Sequence, residues 1–325
     1  MKILIRLPNW LGDVVMSTAF IHAVKQLYID AQVDVIVRKE LSDIAGLIPG
    51  LTIHPFAKHE YKGLSGVFRF GKKLRSEKYD LFFCLPDSIS SAAMGWATRA
   101  KKRIGYAKEG RSFLLTHSYK KELGRHRVDE YVALLEQFTR QSIADRRVEI
   151  AHEKKPKNRL VLVNFNSEAV SRRMPADKAR QLLDILCKTF PDLQFGLIGS
   201  SKEKNFIDSL ATSADNKRIV NLAGKTKLAQ LVDYMTVAKA VLTTDSGPAH
   251  LANSLGVPTI VLFGAGDESN TAPYNKNLLT VIRAGQLECE PCVRNTCKLY
   301  GIPRCMELLD ELRIINALKL YLKHA

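Results

Sequence analysis

Short runs of apolar, mostly β-branched residues recur along this chain with helical segments between them, and this alternation restricts its fold more than any other feature. Such runs are typical of strands in a parallel sheet that is buried on both faces. The first series comprises residues 3–7, 33–37, 51–56, 81–85 and 103–106, and the second comprises residues 160–165, 194–198, 218–221, 240–243, 259–263 and 279–282. Each series therefore predicts an α/β fold with a doubly wound parallel sheet.

A polar, charged segment from Ala151 to Arg159, interrupted by Pro156, separates the two series and is typical of a linker. We therefore predict two Rossmann-like domains, residues 1–155 and residues 156–325, with the last helix (about residues 307–323) free to pack back on the N-terminal domain. Ligands of such sheets bind beyond the carboxyl ends of the strands. We expect the functional site in the cleft that the two domains face.

The formal net charge is +16 at pH 7, and the excess is concentrated in residues 58–78 and 99–127. These stretches predict a polyanionic partner: a nucleic acid, an anionic membrane surface or a phosphorylated glycolipid. A well-solvated basic surface is the alternative. Little aromatic interleaving and no helix-turn-helix, RNP or OB signature argue against nucleic acid. No apolar run approaches the ~20 residues that span a bilayer, and the N-terminus does not look like a signal peptide, so we expect a cytoplasmic protein.

The loop after the first predicted strand carries Gly12, which allows a tight turn, and Asp13, which lies at the start of a helix. A carboxylate there is either an N-terminal helix cap, favoured by the helix dipole, or a functional group at the carboxyl end of a strand. The neighbouring Asn9 and Trp10 place a polar group and a large aromatic on the same turn, which favours the functional interpretation.

The loop after the first strand of the second series carries Ser167, Arg172 and Arg173 before a helix begins. Hydroxyl and guanidinium groups at a helix start suit a pyrophosphate, because Arg offers a planar fork of donors to phosphate oxygens. A solvated basic loop is the competing interpretation.

A third loop joins a strand that ends in threonines to a helix that opens with Gly247 and Pro248. This arrangement leaves backbone N–H groups for an anion. Asp245 is suited to accept hydrogen bonds from sugar hydroxyls, with Ser246 beside it. For His250, a satisfied helix histidine and a substrate contact both remain open.

The usual motifs of dinucleotide oxidoreduction and P-loop NTP hydrolysis, G-x-G-x-x-G and G-x-x-x-x-G-K-[ST], are missing from the sequence. It also lacks the D-x-D pair that commonly holds a metal against a nucleotide diphosphate. We therefore expect a leaving group to be stabilised by Arg and helix N-termini, with no cofactor required.

Four of the six cysteines form a C-x2-C-x4-C-x7-C array at Cys289, Cys292, Cys297 and Cys305. In a cytosolic chain this density suggests a tetrahedral structural zinc site rather than disulfides. Because the spacing is short for a zinc ribbon, reduced thiols or an adventitious disulfide bridge remain the alternative.

With these loops described, the sequence resembles the ADP-heptose:lipopolysaccharide heptosyltransferase family, and its heptosyltransferase II branch most of all. The resemblance rests on residues 7–13 (LPNWLGD), 221–226 (NLAGKT) and 245–251 (DSGPAHL), and on the cysteine array ending in Cys305 and Met306. It implies the GT-B fold and inverting transfer of heptose from ADP-L-glycero-β-D-manno-heptose to the heptosylated inner core of lipopolysaccharide on Kdo-lipid A. The alternatives are transfer of another nucleotide sugar to a different cell-envelope glycan and, from another class, a basic nucleic-acid-binding protein.

The resemblance also assigns roles to single residues. It makes Asp13 the general base. The residues implied to bind the nucleotide sugar are Ser167, Arg172, where most family members have Lys, Glu203, Asp245, Ser246, Gly247 and His250. The residues expected to bind the acceptor are Asn9, Trp10 and Gly12 of the first loop and, from the two basic stretches, Lys62, Arg69, Lys72 and Arg125. The expected partners are the lipid A core oligosaccharide and the cytoplasmic face of the inner membrane, without nucleic acid, for a peripheral protein that is a monomer.

Overall fold

The computed structural model describes residues 1–153, 155–211 and 217–323. The chain divides into two compact units, Met1–Ala151 and His152–Ala325. The predicted domain boundary, between residues 155 and 156, lies a few residues beyond this division. Each unit has its own parallel sheet and its own buried core.

In the N-terminal unit the sheet has the strand order β3-β2-β1-β4-β5-β6, and all its pairs are parallel. Its strands are β1 (Lys2–Arg6), β2 (Gln32–Arg38), β3 (Leu51–Phe56), β4 (Leu81–Cys84), β5 (Lys102–Tyr106) and β6 (His117–Tyr119). Its helices are α1 (Leu11–Met16), α2 (Thr18–Leu27), α3 (Ser42–Gly46), α4 (Gly63–Lys73), α5 (Ile89–Thr98) and α6 (Arg127–Thr139). Helix α2 packs against α6, and α4 packs against α5.

In the C-terminal unit the strand order is β12-β11-β10-β7-β8-β9, again parallel throughout. Its strands are β7 (Leu160–Asn164), β8 (Gln194–Leu197), β9 (Ile219–Asn221), β10 (Ala240–Thr244), β11 (Thr259–Phe263) and β12 (Leu279–Arg283). Its helices are α7 (Ala176–Thr189), α8 (Lys204–Ala211), α9 (Leu228–Val237), α10 (Gly247–Ser254), α11 (Glu268–Thr271), α12 (Arg304–Glu307) and α13 (Glu311–Lys323).

Both sheets therefore have the doubly wound order of Rossmann-like domains, in which the winding direction reverses between two central strands. The reversal lies between β1 and β4 in the N-terminal unit and between β7 and β10 in the C-terminal unit. At such a switch point the loops after the two strands part and leave a crevice for a ligand. The loops that carry Asp13, Arg172 and Asp245 follow β1, β7 and β10, and thus begin at these two switch points.

The local sequence explains how the elements around the sites begin and end. Helix α5 starts after Ser88, whose Oγ accepts a hydrogen bond from the Ser91 N–H, and it ends at Arg99. Helix α6 ends in the same way at Arg140. Both arginines are exposed and hold left-handed backbone conformations, with φ near 60° at Arg99 and 58° at Arg140. A left-handed residue after the last turn is a common helix ending, although glycine usually occupies that position.

Every predicted strand run overlaps a strand of the structure, and among the described residues β6 is the strand that the prediction missed. It comprises His117–Tyr119 only, at the edge of the sheet, and no apolar run marks it. Helix α13 packs on β10, β11 and β12 of its own unit, where Ile314, Ile315 and Leu318 join the core. None of the described helices is both long enough and apolar enough to cross a bilayer.

Packing between α4 and α5 leads to a first prediction. A Cβ added at Gly71 would lie 2.5 Å from the Met94 carbonyl oxygen and 2.7 Å from the Ala97 Cβ. Gly71→Ala is therefore expected to lower the free energy of unfolding by about 1–3 kcal/mol, since the helices must separate to admit it. Gly46→Ala in α3 is the control, because its nearest new neighbour is at 3.8 Å. Urea unfolding measures the free energy of unfolding of both variants. If Gly71→Ala were as stable as Gly46→Ala, the prediction would be contradicted.

Candidate functional site

The loop after β1 places Asp13 in the first turn of α1. The N-cap position belongs to Trp10, whose backbone is extended and whose side chain makes no capping hydrogen bond. The interpretation of Asp13 as the helix cap is therefore wrong. Its carboxylate still lies at the positive end of the helix dipole, which favours the ionised form.

Two residues of α6 hold the Asp13 carboxylate. The Tyr131 hydroxyl donates a hydrogen bond of 3.1 Å to Asp13 Oδ1, and the Arg127 Nε lies 3.7 Å from the same oxygen. Burial raises the pKa of Asp13 above its usual range, while the charge of Arg127 and the hydrogen bond from Tyr131 act in the opposite direction. A carboxylate with a raised pKa and a fixed position has the properties of a general base.

A chain of ion pairs continues from Arg127 along this edge of the N-terminal sheet. Arg127 Nη1 lies 2.8 Å from Glu130 Oε2, and Lys121 Nζ lies 3.2 Å from the same oxygen. Lys121 Nζ is also 2.8 Å from Oδ2 of Asp87, which follows β4 on the other side of the switch point. Arg111, whose side chain is fully buried, extends the chain with Nη2 at 3.7 Å from Asp87 Oδ1. These contacts fix the orientation of Arg127 relative to Asp13.

Of the residues predicted to bind the acceptor, three lie in the same loop as Asp13. The Asn9 side-chain oxygen accepts a hydrogen bond of 2.5 Å from the buried Arg6 guanidinium. The Trp10 side chain is 55% exposed, whereas Gly12 is buried within α1. Trp10 is therefore the residue of this loop that offers the most surface to a ligand.

The other predicted acceptor residues lie apart from Asp13 in the contacts of the described residues. Lys62 precedes α4, and Lys72 lies exposed near its end. Arg69 donates to the Glu60 carbonyl and lies over the Tyr61 ring. Arg125 pairs with Glu122 at 2.5 Å. Within residues 1–153, no ion pair or side-chain hydrogen bond joins Lys62, Arg69, Lys72 or Arg125 to Asp13.

In the C-terminal unit the structure brings together Arg172 and Asp245. Arg172 Nη1 lies 3.1 Å from Asp245 Oδ2, and the Asp245 side chain is 4% exposed. Burial raises the pKa of Asp245 to about 6, although Arg172 and Arg283 lower it. Although Arg172 forms an ion pair with it, the buried Asp245 Oδ2 accepts no hydrogen bond of suitable geometry from the residues that the structure describes. It is therefore suited to accept a hydrogen bond from a ligand hydroxyl.

The loop after β11 closes against this carboxylate. A Cβ added at Gly266 would lie 2.0 Å from Asp245 Oδ2, so only glycine fits there. Arg283 of β12 donates to the carbonyl oxygens of Gly264 and Gly266 and pairs with Glu268. Arg283 thus holds the backbone of this loop against Asp245.

Ser246 lies in the loop after β10 and contacts the end of β7. Asn164 Nδ2 donates to Ser246 Oγ at 2.9 Å and to Thr243 Oγ1 at 3.1 Å. The side chain of Ser246 does not cap α10, which begins with Gly247 and has proline in its first turn. The first-turn N–H groups of α10 therefore lack a side-chain cap, which suits the binding of an anion.

The remaining predicted donor residues lie near these loops in different environments. Ser167 is buried, and its carbonyl accepts a hydrogen bond of 3.0 Å from Arg173 Nη2. His250 is buried within α10. Glu203 Oε2 accepts hydrogen bonds from the N–H and the hydroxyl of Ser200, at 2.8 and 2.9 Å. Glu203 thus has a structural role as part of a capping box.

All four cysteines of the array are free thiols, and Cys305 is the buried one. Among the described residues, no group of three or more His, Cys, Asp or Glu side chains is placed to hold a metal ion. Burial raises the pKa of the Cys305 thiol to about 11, with Glu290 adding to the effect. The zinc site therefore stays a prediction, which metal analysis of the purified protein would test.

Sequence reasoning missed Tyr131, Arg127 and Arg283 as parts of these sites. Arg127 and Tyr131 are four residues apart and hence share one face of α6. That spacing was visible, but nothing in the sequence indicated that this face meets Asp13. Arg283 directly follows the predicted strand run 279–282, and its carbonyl partners at Gly264 and Gly266 could be found only from the fold.

Comparisons with known proteins identify the family and the fold of the chain. The model of the family described as glycosyltransferase family 9 (heptosyltransferase) matches residues 67–302. The lipooligosaccharide heptosyltransferase 2 of Haemophilus ducreyi is 28% identical over 312 residues, covering 86% of this chain and 88% of the relative. The protein of the same name from Campylobacter jejuni is 25% identical over 343 residues, covering 100% and 99%. Among solved structures, the ADP-heptose LPS heptosyltransferase II of E. coli matches with a TM-score of 0.81 and 23% identity, covering 100% and 99% of the two chains, and confirms the predicted GT-B fold class of two Rossmann-like domains.

Proposed function

The chain belongs to glycosyltransferase family 9, the heptosyltransferase family, and we propose that it transfers heptose from ADP-L-glycero-β-D-manno-heptose to the heptosylated inner core of lipopolysaccharide. The curated relatives named heptosyltransferase 2 support this acceptor, since they match along most of the chain. Membership of an enzyme family also decides against the alternative of a nucleic-acid-binding module.

The observation that carries the proposal is the Asp13 carboxylate, fixed by Tyr131 and Arg127 at the switch point of the N-terminal sheet. In the proposed reaction Asp13 accepts the proton of an acceptor hydroxyl as that oxygen attacks the anomeric carbon. The bond from the anomeric carbon to the diphosphate breaks on the opposite face, so the anomeric configuration inverts and ADP leaves. Burial of Asp13 makes its carboxylate a stronger base than an exposed one.

The leaving diphosphate gains negative charge as this bond breaks. We assign its stabilisation to the guanidinium of Arg172 and the uncapped amides at the start of α10, around Ser246 and Gly247. Asp245 would then accept hydrogen bonds from hydroxyls of the heptose. Fixed donors of this kind are each worth several kcal/mol in a transition state, and they need no metal ion.

We also propose that the acceptor is a phosphorylated glycolipid, and that the enzyme works on it as a monomer at the cytoplasmic face of the inner membrane. Support comes from the net charge of +16 and from the exposed Trp10 beside Asp13. Cations such as those of residues 58–78 are attracted to anionic lipid and glycolipid phosphates.

The direct test is to incubate the protein with ADP-heptose and a core acceptor carrying one heptose, without added metal, and to analyse the product by mass spectrometry. We expect a mass gain of a single heptose. A gain that occurs only with another nucleotide sugar would instead support the alternative donor. No transfer from any nucleotide sugar would contradict the proposed function.

The hydrogen bond from Tyr131 predicts a change in the pH profile. It stabilises the ionised form of Asp13 and lowers its pKa, so its removal in Tyr131→Phe raises that pKa. Because the base acts deprotonated, the acidic limb of log(kcat/KM) should move to higher pH, with activity recovering toward alkaline pH. Tyr234→Phe in α9, which alters a partly exposed tyrosine of the other unit, should leave the profile unchanged. If kcat/KM of Tyr131→Phe fell by the same factor at all pH values, the assigned role of Tyr131 would be contradicted.

A further inference from the structure

Two basic stretches that are separate in the sequence meet at one cavity of the N-terminal unit. Arg75 follows α4 in the first stretch, and Arg99, Lys101 and Arg103 belong to the second, between the end of α5 and β5. Together with Trp96 and Ala100, these four cationic side chains line a cavity of about 390 Å³. No acidic side chain is among its lining residues. The cavity therefore has a concentrated positive charge.

Contacts with backbone carbonyls hold two of these cations in place. Arg75 Nε donates to the Ala97 carbonyl at 2.7 Å, and Arg103 donates to the carbonyls of Leu114 and Ala100 at 3.0 and 2.8 Å. Neutral carbonyl acceptors position the guanidinium groups without neutralising them. Lys101 alone has a carboxylate partner, Asp80, at 2.8 Å.

Arg99 differs from the other three because its side chain forms no hydrogen bond or ion pair within residues 1–153, 155–211 and 217–323. It is exposed at the end of α5, where the left-handed backbone places it beside Lys101 and Arg103 in the cavity wall. An exposed, unpaired guanidinium next to two fixed ones offers several N–H donors to a single anion.

Exposed apolar side chains lie directly beside this cavity. Trp96, in its wall, is 47% exposed, and its ring centroid lies 5.4 Å from that of Phe68. Arg75 in turn lies over the Phe68 ring at 5.7 Å. Leu64, one helical turn before Phe68 on α4, is 58% exposed. The α4/α5 surface thus combines an aromatic and aliphatic strip with a basic cavity.

We propose that this cavity binds the phosphate group of an anionic phospholipid headgroup, with Trp96 and Leu64 entering the membrane interface beside it. Charge complementarity selects a phosphate, since four cations line the cavity and only one of them, Lys101, has a carboxylate partner. The apolar strip selects a lipid over a free phosphate ion, because a free ion would gain nothing from an exposed tryptophan and leucine. Aromatic rings with basic side chains around them are typical of surfaces that lie in a membrane interface.

The cavity is separate from the edge of the sheet that carries Asp13. Arg103 is at the start of β5, whereas Asp13 follows the end of β1, and the two strands run parallel with β4 between them. The two sites therefore lie at opposite ends of the strands, at least one strand length of about 15 Å apart. A phospholipid in the cavity leaves Asp13 free for the acceptor, so the inference does not depend on the transfer reaction.

The experiment is flotation of the full-length protein with vesicles of phosphatidylglycerol and phosphatidylcholine, compared with phosphatidylcholine alone. We expect partitioning onto the anionic vesicles that weakens with salt. Arg99→Gln should reduce the partition coefficient about fivefold, and Arg75→Gln combined with Arg99→Gln about twentyfold, given the usual contribution of one basic residue near an anionic surface. Trp96→Ser should also reduce it.

Arg140→Gln is the matched control. Arg140 ends α6 as Arg99 ends α5, exposed and with nearly the same φ, but it is not in the cavity wall. The variant removes the same charge and should partition like the wild type. If Arg99→Gln and Arg140→Gln lowered the partition coefficient equally, net charge alone would explain vesicle binding, and the proposal would be overturned. Binding of inorganic phosphate without binding to anionic vesicles would also overturn it, in favour of a soluble anion.

Tryptophan fluorescence gives a second readout that a general charge effect would not produce. The chain has two tryptophans, Trp10 and Trp96, so Trp10→Phe leaves Trp96 as the single reporter. On anionic vesicles its emission should shift to shorter wavelength and be quenched by brominated lipid. An unchanged spectrum in a sample that is fully vesicle-bound would show that another face of the protein contacts the membrane. Neither vesicle flotation nor tryptophan fluorescence measures heptose transfer. The lipid proposal can therefore be supported even if the protein proves inactive as a heptosyltransferase.

Discussion

Asp13→Asn should lower the turnover of heptose transfer by about 10²-fold or more, the usual contribution of a general base. The amide keeps the size of the carboxylate and can still accept a hydrogen bond from Tyr131, but it cannot take up the acceptor proton. Binding of ADP, measured by calorimetry, should remain close to that of the wild type, because the donor residues are assigned to the C-terminal unit. Near-normal turnover would remove Asp13 from the mechanism.

A control variant distinguishes the loss of the general base from a loss of folding stability. Asp43 lies exposed in the first turn of α3, as Asp13 lies in the first turn of α1, so Asp43→Asn removes a similar interaction with a helix dipole. It should leave turnover unchanged. At neutral pH Asp13→Asn should be at least as stable as the wild type, since burial raises the pKa of Asp13 and its ionised form therefore costs folding free energy above that pKa. A large fall in stability would mean that lost activity reflects misfolding.

The fold was largely predictable because buried parallel strands appear as continuous apolar runs. Ile3, Leu4 and Ile5 of β1 are completely buried, and so are Val241 and Leu242 of β10. Such strands can be recognised without knowing their neighbours. Strand β6 could not be found in this way, because the edge residues of His117–Tyr119 are only partly buried and pair with a single strand.

The candidate site was predictable only where its residues follow strands. Asp13, Arg172 and Asp245 lie in loops after β1, β7 and β10, and the rule that ligands bind at carboxyl strand ends singles out those loops. Tyr131 acts across 118 residues of sequence, and no local pattern links it to Asp13. The basic cavity of the N-terminal unit could not be predicted either, because Arg75 and Arg99 meet only where α4 packs on α5.

Arg172→Gln is expected to lower kcat by about 10²–10³-fold, the range found when one fixed donor to a developing negative charge is removed. Arg172→Lys keeps the charge, and it supplies the residue that most relatives in the resemblance have there, so it should recover much of the activity. Arg304→Gln is the control, because Arg304 also pairs with a carboxylate, but with that of Glu307 within the short helix α12 and not with Asp245. Its kcat should not change.

The effect of Arg172→Gln should also depend on pH. Arg172 lowers the pKa of Asp245, which burial has raised to about 6. Without the guanidinium that pKa rises further, and Asp245 becomes protonated closer to neutral pH. A protonated Asp245 loses acceptor capacity for a sugar hydroxyl, so the KM for ADP-heptose should increase more steeply toward acid in Arg172→Gln than in the wild type. If KM changes equally at all pH values, Arg172 acts on the diphosphate alone, and the ion pair with Asp245 has no part in binding the sugar.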